Sequence, residues 1–196
     1  MALIKAKFPM IAPVTEDDNG GYTLGTGIKI GKLISMDINP IKAEGELYGD
    51  DGRAENVTEY VGADVTLNTT TVPPEARPVM FGETHTAATT GENATPETVV
   101  SSGDDNGQYV AYGFIRTEIN NNVKKYVYVL LIKVKFTLPD EHDDTKGDSI
   151  QFNTPSITGK ADTIEGGNSP VWRKLRYYDS ESDALAALKT EFNYSE

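Results

Sequence analysis

Hydrophobic and polar positions alternate over most of this chain. Ile28, Ile30, Ile34, Met36 and Ile38 fall on one side while Lys29, Ser35, Asp37 and Asn39 fall on the other, the two-residue period of a strand with one buried face. Val65, Leu67, Thr69 and Thr71 alternate with Asp64, Thr66, Asn68 and Thr70 in the same way. A third strand is predicted from Tyr109 to Thr117, with Val110, Tyr112 and Phe114 opposite Ala111, Gly113 and Ile115. The strongest pattern runs from Tyr126 to Phe136, where both faces are apolar up to Lys133 and only one face afterwards. Such a strand begins in the core and ends against water or a partner. Asn120-Asn121-Asn122 separates the third and fourth strands, and asparagine tolerates the left-handed backbone of a tight hairpin, so the two should pair. Further strands are predicted over Ser149–Thr163 and Val171–Tyr178.

Helical signals are few. Ala54–Tyr60 is predicted to form a turn or two. Pro73–Phe81 opens on prolines, whose missing N–H costs nothing in a first helical turn. Asp183–Thr190 follows Ser182, a good N-cap. Glu83–Gly107 is rich in threonine and glycine without periodicity and reads as a long surface loop. The chain is thus expected to be mainly β with two or three short helices and long loops, in one domain over residues 1–196. Its parts are an N-terminal arm at 1–20, long loops at 41–58 and 83–107, and a C-terminal helix and tail at 179–196.

Composition narrows the functions. At 196 residues the chain can bury one substantial core, and no run approaches the roughly 20 apolar residues of a membrane span. Met1–Pro9 lacks the apolar core and cleavage site of a secretory signal, so a soluble protein made and kept in a cytosol is expected. There is no cysteine, which excludes disulfides and thiolate ligands. The net charge is −12, unfavourable for a surface that must displace counterions from nucleic-acid phosphates.

The chemistry-bearing residues are sparse. The two histidines, His85 and His142, stand without a Gly-x-Ser-x-Gly elbow or a cysteine nucleophile, so neither a hydrolytic triad nor a zinc site is expected. Glu16–Gly21, Asp50-Asp51-Gly52, Asp104–Gly107 and Asp140–Asp144 cluster oxygen ligands near glycine. None has the ligand order of a twelve-residue calcium loop, and Asp or Asn beside Gly is ordinary turn chemistry. Four Asn-x-Ser/Thr tripeptides read as accidental without a signal peptide. No catalytic residue, metal or cofactor is assigned. Trp172 reads as a core or interface anchor, or as a platform for a sugar or base.

A succession of short motifs carries the reading further. Leu47-Tyr48-Gly49-Asp50-Asp51-Gly52-Arg53-Ala54-Glu55 is followed by Val65-x-Leu67, Pro73-Pro74-Glu75 and Phe81-Gly82. Then come Tyr109–Arg116, Lys133-Val134-Lys135-Phe136-x-x-Pro139-x-Glu141 and Thr145–Gly159. In this order and spacing the chain resembles the major tail proteins of long-tailed bacteriophages, in the group typified by the phi13 tail protein. Most of the chain is covered, apart from Glu83–Gly107 and the segment after Tyr178.

The resemblance implies a β-sandwich or partly closed barrel with a flanking helix. It implies a tail-tube subunit that forms hexameric rings, which stack into a conduit through which DNA passes without specific binding. The implied partners are further copies of the chain and other tail proteins (tape measure, tail terminator, baseplate), with no membrane. The place implied is the virion tail, assembled in the bacterial host cytoplasm. Leu47, Tyr48, Asp50, Asp51, Arg53 and Glu55 are the expected inter-subunit or inter-ring contacts. A lumen lined with carboxylates would repel phosphates and leave DNA nowhere to stick. Two other readings stay open: a β-sandwich adhesion or carbohydrate-binding module of a virion, which needs an exposed aromatic platform, and a carboxylate-based enzyme, which needs paired acids in a cleft.

Overall fold

A computed structural model describes residues 2–50, 52–91, 93–142, 153–164 and 170–195. Its strands are β1 (Ala2–Glu16), β2 (Tyr22–Leu24), β3 (Ile28–Lys29), β4 (Leu33–Gly49), β5 (Gly52–Thr69), β6 (Thr84–Thr86), β7 (Thr98–Val100), β8 (Val110–Asn120), β9 (Val123–Phe136), β10 (Ser156–Asp162) and β11 (Arg173–Tyr178). The helices are a 3-10 turn at Pro74–Ala76 running into α1 (Arg77–Phe81), and α2 (Glu181–Glu191). The protein is mainly β, as the alternation predicts. No helix among the described residues is long and apolar enough to cross a membrane.

Nine strands form one antiparallel sheet in the order β2-β1-β8-β9-β10-β5-β4, with β3 also on β1 and β11 also on β9. The sheet rolls until β1 approaches β4 but does not close into a barrel. β9 is the spine. One edge pairs with β8 along its length, while the other is shared by β11, over Tyr126–Leu131, and β10, over Lys133–Phe136.

The sequence of β9 explains its place. Val127, Val129 and Leu131 point into the roll, where they meet Ile11, Val65, Leu67, Tyr112 and Phe114. Tyr128, Leu130 and Ile132 point outward beneath α2, against Met10, Ala111, Leu188 and Phe192. A register irregularity opposite Val110–Tyr112 returns Val134 and Phe136 to the interior. Lys133 and Lys135 are left half-buried on the outer face. At about 25 cal/mol per Å² of apolar area, burying both faces of one strand contributes strongly to stability. Gly113 lets α2 sit close, because a Cβ there would lie 2.5 Å from the Phe192 ring.

Turn chemistry closes the neighbouring hairpin. Asn121 and Asn122 take φ of 49° and 63° between the paired Asn120 and Val123, the two-residue left-handed turn that matches strand twist. α2 begins earlier than predicted: Ser180, not Ser182, caps it, its Oγ accepting from the Asp183 amide at 3.3 Å. Glu181 and Asp183 in its first turn favour the positive end of the helix.

Five expectations need correction. Residues 1–20 are not an arm, since β1 lies within the sheet between β8 on one side and β2 and β3 on the other. Ile34 is exposed rather than inward, because a bulge between Leu33 and Ser35 shifts the register of β4. Residues 41–58 are not a loop but the outer halves of β4 and β5, and Ala54–Tyr60 is strand rather than helix. The segment 83–107 is less loose than its composition suggests. β6 and β7 pair within it, and its two ends meet at a neck where the Gln108 amide donates to the Val79 carbonyl at 3.2 Å. Gly82 caps α1 at φ 86°, and a Cβ there would lie 2.4 Å from the Asn106 nitrogen.

Beside that neck Arg77 grips the buried Glu83 with two hydrogen bonds, at 2.6 and 2.9 Å, and Ser101 donates a third. The Arg77 guanidinium holds the Glu83 carboxyl below its usual range. The ion pair therefore ties α1 to the residue that precedes β6 at neutral pH and weakens only as pH falls through that lowered value. The predicted strand at Ser149–Thr163 is seen as β10 from Ser156 to Asp162; residues 149–152 lie outside the described residues.

The core carries one local cost. Among the described residues, the hydroxyls of Tyr112 and Tyr128 are buried without a hydrogen-bond partner, and burial alone pushes the Tyr112 phenol far above its usual range. An unsatisfied buried hydroxyl costs about 1–3 kcal/mol, whereas an apolar group of the same shape costs nothing. Tyr112→Phe should therefore leave the fold intact and raise stability by about 1 kcal/mol, read as a higher midpoint in urea with unchanged slope. A lower midpoint would contradict this account of the core.

Candidate functional site

The part of the molecule that the core does not explain is the far end of the β4–β5 hairpin. β10 covers β5 only from Ala63 to Asn68. Beyond that the two strands pair with each other alone, from Lys42 opposite Tyr60 to Gly49 opposite Gly52. Every side chain described between Ile41 and Glu59 is exposed. At about 3.3 Å per residue the eight pairs carry the hairpin roughly 25 Å off the sheet. The turn at its end is short because Gly49 and Gly52 face each other around Asp50, which sits at φ 44°. Asp and Asn are the non-glycine residues that tolerate this conformation best.

Of the six residues expected to make contacts, Tyr48, Asp50 and Glu55 lie exposed on this arm. The backbones of Leu47 and Arg53 pair with Glu55 and Tyr48 respectively, and Asp51 lies outside the described residues. The arm brings all five placed residues to one tip. Six carboxylates stand between Ile41 and Tyr60 against two cations, Lys42 and Arg53. The Tyr48 hydroxyl donates to Glu46 at 2.6 Å, and this acceptor raises the phenol pKa. Exposed apolar groups are interspersed: Tyr48 at 67%, Val57 at 52% and Ile41 at 40%.

The root of the arm is held by residues the sequence did not bring together. An extra residue on β5 at the Ile41–Lys42 register shift makes a bulge, which re-aims the strands as they leave the sheet. Just past it the Tyr60 ring stacks on Trp172, with centroids 4.5 Å apart and planes 11° from parallel. The Arg173 guanidinium lies 4.6 Å from the Trp172 ring centre. The Tyr60 hydroxyl donates to the Ala161 carbonyl at 3.3 Å, and the Trp172 carbonyl accepts from Ile132 at 3.0 Å. Burial, with the nearby Asp162 carboxylate, pushes the Tyr60 phenol up to about 12 against the opposing pull of Arg173. Thus β5, β10 and β11 each supply one part of a clamp. Trp172 is the anchor its chemistry suggested, but its partner Tyr60 carries no local sequence signal.

Two of the four acidic turn candidates, Glu16–Gly21 and Asp104–Gly107, behave as turns, while Asp51, Asp143 and Asp144 of the other two lie outside the described residues. Asp17 accepts from the Asn19 and Gly21 amides at 2.9 and 2.7 Å, and Asp105 from the Ser102 amide at 2.6 Å. Among the described residues no group of three or more His, Asp or Glu is placed to hold a metal ion. His85 is engaged by Glu97 at 2.9 Å. No family model matches this chain, and no curated protein matches it.

The stack sets how firmly the arm is held. Aromatic pairs contribute about 0.5–1.5 kcal/mol beyond burial, equivalent to roughly a 3- to 10-fold change in an opening equilibrium. Trp172→Ala should keep the sheet intact while amides of residues 42–60 exchange with deuterium several-fold faster. Unchanged exchange in the arm would show that the clamp does not govern it.

Proposed function

We propose that this chain is a structural subunit that assembles with further copies of itself, as the tail tube of a long-tailed bacteriophage. The observation that carries the proposal is the arm. An isolated two-stranded hairpin is marginal in water, yet this one extends well beyond the sheet with both faces exposed and its root clamped in a fixed direction. Its mix of carboxylates and exposed Ile41, Tyr48 and Val57 suits a surface supplied by another molecule.

The rolled but unclosed sheet supports the same reading. β4 forms one edge over 17 residues, and free edges invite pairing unless an assembly covers them. Hexameric rings that stack would cover such edges and give the arm a receptor on a neighbouring subunit or ring. In that assembly DNA passes through the bore without specific binding, and tape measure, terminator and baseplate proteins meet the ends of the tube. A sugar-binding role has less support, because Trp172 is half-buried, stacked on Tyr60 and in contact with the Arg173 guanidinium.

Deleting Leu47–Glu55 tests the arm directly, since no described side chain of that stretch is buried in the subunit. The shortened chain should melt within a few degrees of the full one and form no tubes when concentrated. Tubes of normal length from the deletion variant would refute the role given to the arm.

A further inference from the structure

β4 is the last strand of the sheet, so among the described residues one of its edges has no partner strand. Other open edges are short: β11 has six residues, and β1 is uncovered over Ala2–Lys7, since β3 and β2 pair with it farther on. β4 runs for 17 residues, and β1 comes near it without pairing. A long row of unpaired N–H and C=O groups is a template for a strand of another molecule. The side chains of Leu33–Ile41 make this one more inviting still. Asp37 is the only charge among them, and Ile34 and Ile41 are 54% and 40% exposed.

One residue spoils the template. Proline lacks the N–H that a hydrogen-bonded antiparallel pair exchanges, so Pro40, opposite Ala63, makes the other kind of pair and its nitrogen faces away from β5. Met36 and Ile38 lie an even number of residues before it, with no register shift between, and so aim their N–H groups outward as well. Register shifts at Leu33/Ser35 and Ile41/Lys42 bound this regular stretch. Among the described residues, residues 36–41 make no backbone hydrogen bond outside the β5 ladder. An incoming strand would therefore find two donors, at Met36 and Ile38, and then the exposed Pro40 ring where the third should be. Past Ile41 the edge belongs to the arm, whose six carboxylates against two cations repel a like copy.

We propose that Pro40 guards the open edge of β4 and keeps the folded subunit from adding a strand of a second copy there. Proline is tolerated at this place because the lost N–H faces outward, and it interrupts the one open edge that is both long and apolar at its root. This role for Pro40 holds whether or not the chain forms tubes, and it leaves the faces of the arm, rather than the edge of β4, as the surface for ordered contacts.

The test restores the N–H with Pro40→Thr, a strand-forming change at an exposed position. The variant should keep the wild-type circular dichroism and melt within a few degrees of it. At the highest concentration where the wild type sediments as a single subunit, the variant should sediment as larger species and raise thioflavin T fluorescence at least fivefold. A fluorescein-labelled peptide of residues 33–41 with the same Pro40→Thr change should bind the variant at least tenfold more tightly than it binds the wild type. Should Pro40→Thr fold poorly, Pro40→Ala restores the same N–H and is read in the same two ways. A folded variant that stays a single subunit would overturn the proposal. Association without tighter peptide binding would overturn it too, since the new contacts would then not run through the edge of β4.

Discussion

The fold depends on one constraint, the burial of both faces of β9. From Val127 to Ile132 every side chain is buried, and a strand apolar on two faces needs a layer on each. On one side the sheet supplies that layer by rolling over until β4 and β5 face β8 and β9. On the other, α2 supplies it through Ala184, Leu188 and Phe192. Because β9 also holds β8 on one edge and β10 and β11 on the other, the strand fixes which segments can be neighbours. β5 is carried into position by β10, and from there its outer half leaves the sheet. The direction of the arm is thus a consequence of packing at the centre.

What the sequence made legible follows from how local the signal is. Both faces of β9, its change of character at Lys133, the Asn121-Asn122 turn and the proline-started turn before α1 are encoded within a few residues, and the structure has them all. The arm was not legible. Gly45, Gly49, Gly52 and several acidic residues lower its strand propensity, and neither face is apolar enough to produce a clear alternation. Its strands exist because each pairs with the other across a two-residue turn. β1 was hidden for a different reason. Phe8 takes φ 62° ahead of Pro9, and the register shifts between Lys7 and Met10, so its alternation is interrupted where the strand is most buried.

The candidate site divides the same way. Tyr48, Asp50 and Glu55 could be singled out because charged and aromatic residues cluster around a turn. Tyr60 and Trp172 could not be paired, since they lie far apart in the chain and meet only after β5, β10 and β11 are assembled.

Together these features describe an acidic hairpin that projects from the sheet with its described side chains exposed. The central claim is that such a subunit closes its open surfaces against copies of itself. Negative-stain electron microscopy of the purified chain over a range of concentrations tests this most directly. The account predicts rings or tubes with a central hole as concentration rises, whereas isolated particles of single-subunit size at every concentration would contradict it.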